Sequence, residues 1–398
     1  MSKAAIEFDP VSPNFDRDFY PNIKTMREQC RAYRHEGTLI PAVSVFRHAD
    51  VVPMLQDWEN WSSGRSEIMK KRGFGIASIM VGDDPPDHTR YRKLMAPFFM
   101  PVSVNSFDEI ISSEIDVAME KCLNAGEIDL VEDFAGPIVN GLICKICGIP
   151  DEDREFIRSK AMLVAAHYGK GLFWKEPNPE IEAIIAKVGW EFGFYFIQHV
   201  EVLKKSKTPS ILSTLSEQLA EPREIAAICA LMIAAGLETT TNMIVHGMQE
   251  LIRHPLQMAK LRGDNGLMNS AIEEMFRYRG TLRRHERVAV HDSKIDDVAI
   301  NAGDSVILWN ASANRDPAVF DRPEEFLIDR SPNRHIAFGS GIHTCLGIVM
   351  ARAEMRLIFQ RLLGATSTIE ETRGHESYES YGNGVMDVAK RYSVKLVG

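Results

Sequence analysis

The densest chemistry in the sequence lies in one short stretch, Phe338-Gly339-Ser340-Gly341-Ile342-His343-Thr344-Cys345-Leu346-Gly347. Two glycines and a cysteine share a loop just before a helical run, Ile348 to Leu363. Glycine lets the backbone turn tightly and come close to a flat ligand. N–H groups at a helix start can hydrogen-bond the Cys345 sulfur, and the positive end of the helix dipole favours its thiolate. Residue by residue, a buried cysteine in a glycine-rich turn is the better reading. The whole string instead predicts an ionised sulfur aimed at a planar ligand.

Four further constellations precede it. Ala235-Gly236-Leu237-Glu238-Thr239-Thr240 sits inside a long helical segment, where an interior glycine costs about 1 kcal/mol against alanine and so needs a reason. Thr239 can bond back to the Ala235 carbonyl and help open the helix, presenting a carboxylate and a hydroxyl at the opening. Glu274 and Arg277 stand at i, i+3 on one helix face. His88 and Arg92 share a face just after the Asp84-Pro85-Pro86-Asp87 turn, and two donors on one face suit a carboxylate. Arg287-Val288-Ala289 opens a strand-like region that runs to Asp296-Asp297-Val298-Ala299-Ile300-Asn301-Ala302-Gly303.

The ten-residue loop resembles the haem-binding signature of the cytochrome P450 family, Phe-Gly-x-Gly-x-His-x-Cys-x-Gly, at every fixed position. The other motifs fall in that family's order and resemble its acid–alcohol pair, its Glu-x-x-Arg brace, its His-x-x-x-Arg pair and its Arg-x-Ala segment, with Asn301 in place of the usual proline. Asn314-Arg315-Asp316-Pro317 with Phe320, Pro323 and Phe326 is similar to the run before its thiolate loop.

The resemblance implies haem b (iron protoporphyrin IX) with Cys345 as the iron ligand. A thiolate there pushes electron density toward oxygen and favours O–O cleavage. It implies further that His88, Arg92, Arg287 and His343 meet the haem propionates, and that Phe338, Gly339, Ala235 and Gly236 also border the haem. Thr239 would steady the oxygen being activated, and Glu238 would relay protons through water. The Glu274–Arg277 pair would be structural. The activity implied is monooxygenation, R–H + O2 + 2 e⁻ + 2 H⁺ → R–OH + H2O, as hydroxylation or O-dealkylation of a small, mostly apolar molecule. Electrons would come from a separate ferredoxin or flavodoxin with its NAD(P)H-dependent reductase.

Candidate pocket residues by position are Phe74, Ile76, Ile79, Met80, Leu231, Met232, Ala235, Thr281 and Leu282, a mostly apolar set. Arg65, Ser66 and Arg283 are candidates to meet a substrate carboxylate. Arg90, Lys93, Arg334, Arg352 and Arg356 are candidates for a patch that docks an acidic electron donor, with ordinary surface charge as the competing reading. A peroxide-driven peroxygenase is one rival reading, disfavoured by the intact Glu238-Thr239 pair. A non-enzymatic haem sensor or carrier is the other, and it would need neither pocket nor proton relay.

The wider composition fits an enzyme of this kind. At 398 residues with net charge −9, 45% hydrophobic and 25% charged, the chain is a poor match for the broad basic footprint of a nucleic-acid binder. The N-terminal stretch lacks a signal peptide's apolar region, and the longest strongly apolar run, Ile225 to Gly236, is short of the roughly 18 residues that span a bilayer. A cytoplasmic protein without a membrane anchor, monomeric, is expected. Cys144-x-x-Cys147 lies in an apolar helical run, Ile138 to Ile149, and reads as packed thiols rather than a zinc site.

Helical spacing covers 105–124, 151–166, 180–205 and 222–254. Strands are expected over Thr38–Ile40, Val43–Phe46 and Val288–Leu308. Residues 167–174 read as a glycine- and aromatic-bearing loop. The expected fold is mainly α with a minor β-sheet region, one haem-containing domain over 1–398.

Overall fold

A computed structural model describes residues 8–10, 15–38, 40–64, 80–167, 179–203, 210–219, 221–372, 378–382 and 384–398. One helix organises the molecule. It runs without a break from Pro222 to Arg253, with proline in its first turn and Pro255 just beyond its end. It contacts the helices Gly136–Cys147, Arg154–His167, Pro179–Leu203, Met268–Arg279 and Ile348–Ala365. Its second half is buried almost all round, which places it in the interior of the largest core cluster.

Counted over its full length, this helix is long and apolar enough to cross a bilayer. The uninterrupted apolar run alone understated that, because Leu237, Met243, Ile244 and Val245 carry the apolar character on past Gly236. Two-thirds of the qualifying window is buried inside the protein, as in the core helix of a globular fold.

The other expected helices form at Asp108–Ala125, Arg154–His167 and Pro179–Leu203. The strand region splits into His285–Ala289, Ser293–Ile295, Val298–Ile300 and Ser305–Leu308. One expectation fails. Thr38 is not in a strand; the chain turns at Gly37 (φ +69°), and the strand lies earlier, at Ala32–His35. Leu39 lies outside the described residues.

A five-stranded sheet joins strands from residues 32–62 to strands from residues 285–308. Ala32–His35 pairs antiparallel with Ala42–Val45, which runs parallel to Ser305–Leu308. That strand pairs antiparallel with His285–Ala289, whose far neighbour is Trp61–Ser62. A second sheet gathers Glu127–Asp129, Thr368–Glu371 and Tyr378–Gly382 around Asp387–Val397.

On the helix Met268–Arg279, Glu274 and Arg277 are fully buried and form a two-pronged pair (Nε to Oε2 2.7 Å, Nη2 to Oε1 2.8 Å). Arg277 also donates to the carbonyls of Asn314, Pro323 and Glu325, and Glu274 accepts from Arg330, Asn333 and the Leu327 N–H. The segment leading into the cysteine loop is thereby pinned to one helix. Burying such a charge is tolerable only because every prong is satisfied.

Candidate functional site

Between the central helix and the cysteine loop lies a cavity of about 490 Å³, in the range of cofactor and ligand sites. Its wall includes Cys345, Phe338, Gly339 and His343 from the loop, His88 and Arg92 from the helix Asp87–Met95, and Arg287 from its strand. The central helix supplies Leu231, Met232, Ala235, Gly236 and Thr239. Met80, Thr281 and Leu282 complete the set expected from sequence. Phe74, Ile76, Ile79, Arg65, Ser66 and residues 168–174 lie outside the described residues.

The loop is shaped by its glycines. Gly339 and Gly341 have φ of +73° and +75°. A Cβ on Gly341 would stand 2.7 Å from both the Gln56 Cα and the Leu55 carbonyl oxygen, so backbone fills that space. The Cys345 N–H donates to the Phe338 carbonyl at 2.9 Å and closes the loop. Cys345 is exposed although protein surrounds it, because its accessible surface opens on the cavity.

Burial pushes the Cys345 thiol up, and the Gly347 N–H and the Arg92 guanidinium oppose that without cancelling it. A metal cation held by this sulfur would favour its thiolate.

The cationic cradle is starved of partners. Both ring nitrogens of His88, Nε2 of His343 and Nε of Arg287 are buried without a hydrogen bond. The His88 and His343 rings stand 4.3 Å apart. Burial holds the His343 imidazole down to about 3 and lowers His88, Arg92 and the Arg287 guanidinium, the last to about 10. Orphaned buried donors around one cavity are what an anionic ligand would satisfy.

On the opposite wall, the Thr239 hydroxyl donates to the Ala235 carbonyl at 2.6 Å, as expected, but the helix stays continuous there. Gly236 has a packing reason: a Cβ would meet Ile143 Cδ1 at 2.8 Å. Glu238 is absent from the cavity wall. It is buried behind the helix and accepts from Asn242 Nδ2 at 3.1 Å. Burial raises its carboxyl above the ordinary value, opposed by Asn242 and Arg158.

The family model described as Cytochrome P450 matches residues 196–396, half of the chain. The chain belongs to the cytochrome P450 family. A putative cytochrome P450 of Bacillus subtilis (strain 168), YjiB, is 32% identical over 336 residues, 82% of each chain. The solved structure of P450BioI in complex with hexadec-9Z-enoic acid ligated acyl carrier protein aligns at TM-score 0.89 and 26% identity, over 96% of this chain and all of that one. CYP109B1 from Bacillus subtilis aligns at TM-score 0.83 and 30% identity, over 98% and 100%.

As a P450, the protein is a haem monooxygenase. The residues present fit the group. One cavity-facing thiol, a glycine-shaped approach and a cluster of unpartnered donors match iron, a flat ring and two carboxylates.

Several wall residues of this P450 escaped sequence reading. Val385 and Met386 enter from the C-terminal hairpin, where Met386 bridges to Leu282. A Gly-rich turn, Gly382 to Gly384, was the available signal. His285, Met350 and Glu354 also line the cavity. Arg283 does not: it stacks on Phe19 and pairs with Asp16 and Asp387, which removes it as a substrate-carboxylate residue. Two cations of the expected docking patch are already engaged, Arg90 by Glu224 and Arg352 by Glu273. Cys144 and Cys147 are fully buried packed thiols, and no metal-holding cluster exists among the described residues.

Proposed function

We propose that this P450 binds haem b through Cys345 and hydroxylates or O-dealkylates a small, neutral, mostly apolar molecule, using two electrons from a separate ferredoxin or flavodoxin and its reductase. The observation that carries this reading is the convergence of the Cys345 thiol, the Thr239 hydroxyl and the histidine–arginine cradle on one cavity. When bound, haem supplies the activation of O2.

The chain's own residues divide the remaining work. His88, Arg92, Arg287 and His343 hold the haem carboxylates. Phe338, Gly339, Ala235 and Gly236 border its faces. Thr239 holds a hydroxyl at the cavity wall, its proton engaged by the Ala235 carbonyl, so its oxygen is free to accept. Glu238 stores a proton behind the helix, and a water or a rotation of its side chain carries that proton past Thr239. Leu231, Met232, Leu282, Val385 and Met386 keep the substrate end apolar.

We infer one domain over 1–398, because the first sheet pairs strands some 260 residues apart. We infer a monomer in the cytoplasm; among the described residues the helix of bilayer length is mostly packed inside the protein. The electron donor is read as acidic, docking near Lys93, Arg334 and Arg356, which make no ion pair among the described residues.

The deciding experiment is the spectrum of the reduced, carbon-monoxide-treated protein. A strongly red-shifted Soret band in the wild type, lost in Cys345→Ser, supports the reading. Its persistence in that variant, or purified protein that never takes up haem, overturns it.

A further inference from the structure

We propose that His285 is a fifth donor to the haem carboxylates in this chain and that it raises the potential of the iron; this rests on the haem reading above. His285 and Arg287 are two apart on one strand, so their side chains leave the same face. Both line the cavity, next to His88 and His343. The His285 Nε2 atom is sealed from solvent and has no hydrogen-bond partner. It points at the cysteine loop, where a Cβ placed on Gly339 would stand 3.5 Å from it. Burial beside Arg287 keeps the ring neutral, down to about 3, so it holds one N–H to donate.

Away from the cavity, His199 bonds the Gly148 carbonyl and His35 bonds Ser44, while the unmet nitrogens of His48 and His246 do not face this cavity. His285 Nε2 has no such bond, and leaving a buried polar nitrogen unmet is unfavourable. A carboxylate at the edge of the cavity would meet that need. Hydrogen bonding to a haem carboxylate withdraws negative charge from the neighbourhood of the iron. The more negative surroundings without it favour the ferric form, so removing the donor lowers the ferric–ferrous potential.

The test uses the haem-loaded protein and the variants His285→Phe, which keeps ring volume, His285→Leu, and His285→Gln, which keeps a donor. Haem transfer to excess apomyoglobin and the spectroelectrochemical midpoint are measured on each. The carbon monoxide spectrum checks that the thiolate is still bound. Phe and Leu should lose haem at least about tenfold faster than the wild type, as for a lost bond to a charged group. Their midpoints should fall, with Gln close to the wild type on both readings. A variant that folds without haem while Gln retains it supports the same conclusion. Should one apolar variant fail to fold, the other carries the comparison; should both fail, the Gln midpoint decides, and a value well below the wild type overturns the proposal. Phe and Leu within twofold of the wild type with unmoved midpoints would also overturn it, as would Gln impaired as much as Phe. A wild type without a haem–thiolate spectrum would instead refute the haem reading itself.

Discussion

Glu238 and Thr239 are neighbours in sequence but work on different sides of the central helix. The Thr239 side chain faces the cavity, while the Glu238 carboxyl is buried behind it against Asn242. Asn242 is held in turn by the Ala389 N–H, at 2.6 Å. Acid and alcohol are thus arranged in series. Thr239→Ala should leave electron uptake near normal but divert it, so that peroxide replaces much of the product. Glu238→Gln should slow turnover itself, by roughly a hundredfold for loss of a positioned acid. Reductant consumption, peroxide and product measured together distinguish the two. Equal coupling in both variants would mean that the series arrangement has no functional weight.

The Glu274–Arg277 pair supports the cysteine loop at a distance. Removing one partner strands a buried charge, which costs about 3–5 kcal/mol. Glu274→Gln should therefore give protein that unfolds at lower denaturant and holds less haem, because one carboxylate oxygen becomes an amide donor facing the donors that Glu274 now satisfies, and the charges of Arg277 and Arg330 lose their counter-ion. Replacing both partners with apolar residues should recover part of the stability, though not the pinned loop. Denaturant midpoints and haem content per chain check this.

Much of the site was legible because its residues sit in short, contiguous motifs. The loop Phe338–Gly347 needs its glycines for φ and its cysteine for the ligand, so spacing and chemistry coincide. The same holds for His88 with Arg92, four apart on a helix. Less was legible where tertiary contact decides. Arg283 reads as a cation available to a substrate carboxylate until Asp387, over a hundred residues later, folds against it. Glu238 reads as a cavity acid because Thr239 beside it is one of the cavity residues, yet adjacent helical residues are turned about 100° apart. The strand at Ala32–His35 is hidden because Thr38 and Ile40 look more β-prone than the charged Arg34 and His35. The partner strand Ala42–Val45 outweighs that propensity.

Met386 makes the pocket partly a property of the C-terminal hairpin. It lines the cavity beside Val385 and bridges to Leu282. Met386→Ala should enlarge the apolar end and weaken the binding of a snugly fitting substrate by about tenfold, while admitting bulkier ones. A set of spin-state titrations across hydrocarbons of graded size is the measurement. Unchanged dissociation constants across the set would place the substrate elsewhere in the cavity. Carboxylic acids should bind no better than their neutral parents, now that Arg283 is engaged.

Glu354 gives the protein a stability slope of unusual sign. Its carboxyl is buried on the helix that follows the cysteine loop, Oε2 has no partner, and burial pushes it up to about 8. A carboxyl whose folded value exceeds its unfolded one binds protons more tightly when folded. Its contribution is complete below about pH 4.5, the ordinary value, and is lost progressively as pH rises toward 8. Asp387 and His246, both lowered, act the other way at acid pH, so a total curve would hide the effect. The difference between the wild type and Glu354→Gln isolates it. Glutamine keeps the shape and never ionises, so the variant should gain on the wild type from pH 5 to 8 and hold that gain above. Each tenfold rise in proton affinity on folding is worth about 1.4 kcal/mol, which makes the full gap several kcal/mol. Urea unfolding at pH 5, 6, 7, 8 and 9 reads it directly. A gap that does not widen with pH would mean that Glu354 is ionised in the folded protein, with water or a rearranged neighbour meeting its charge.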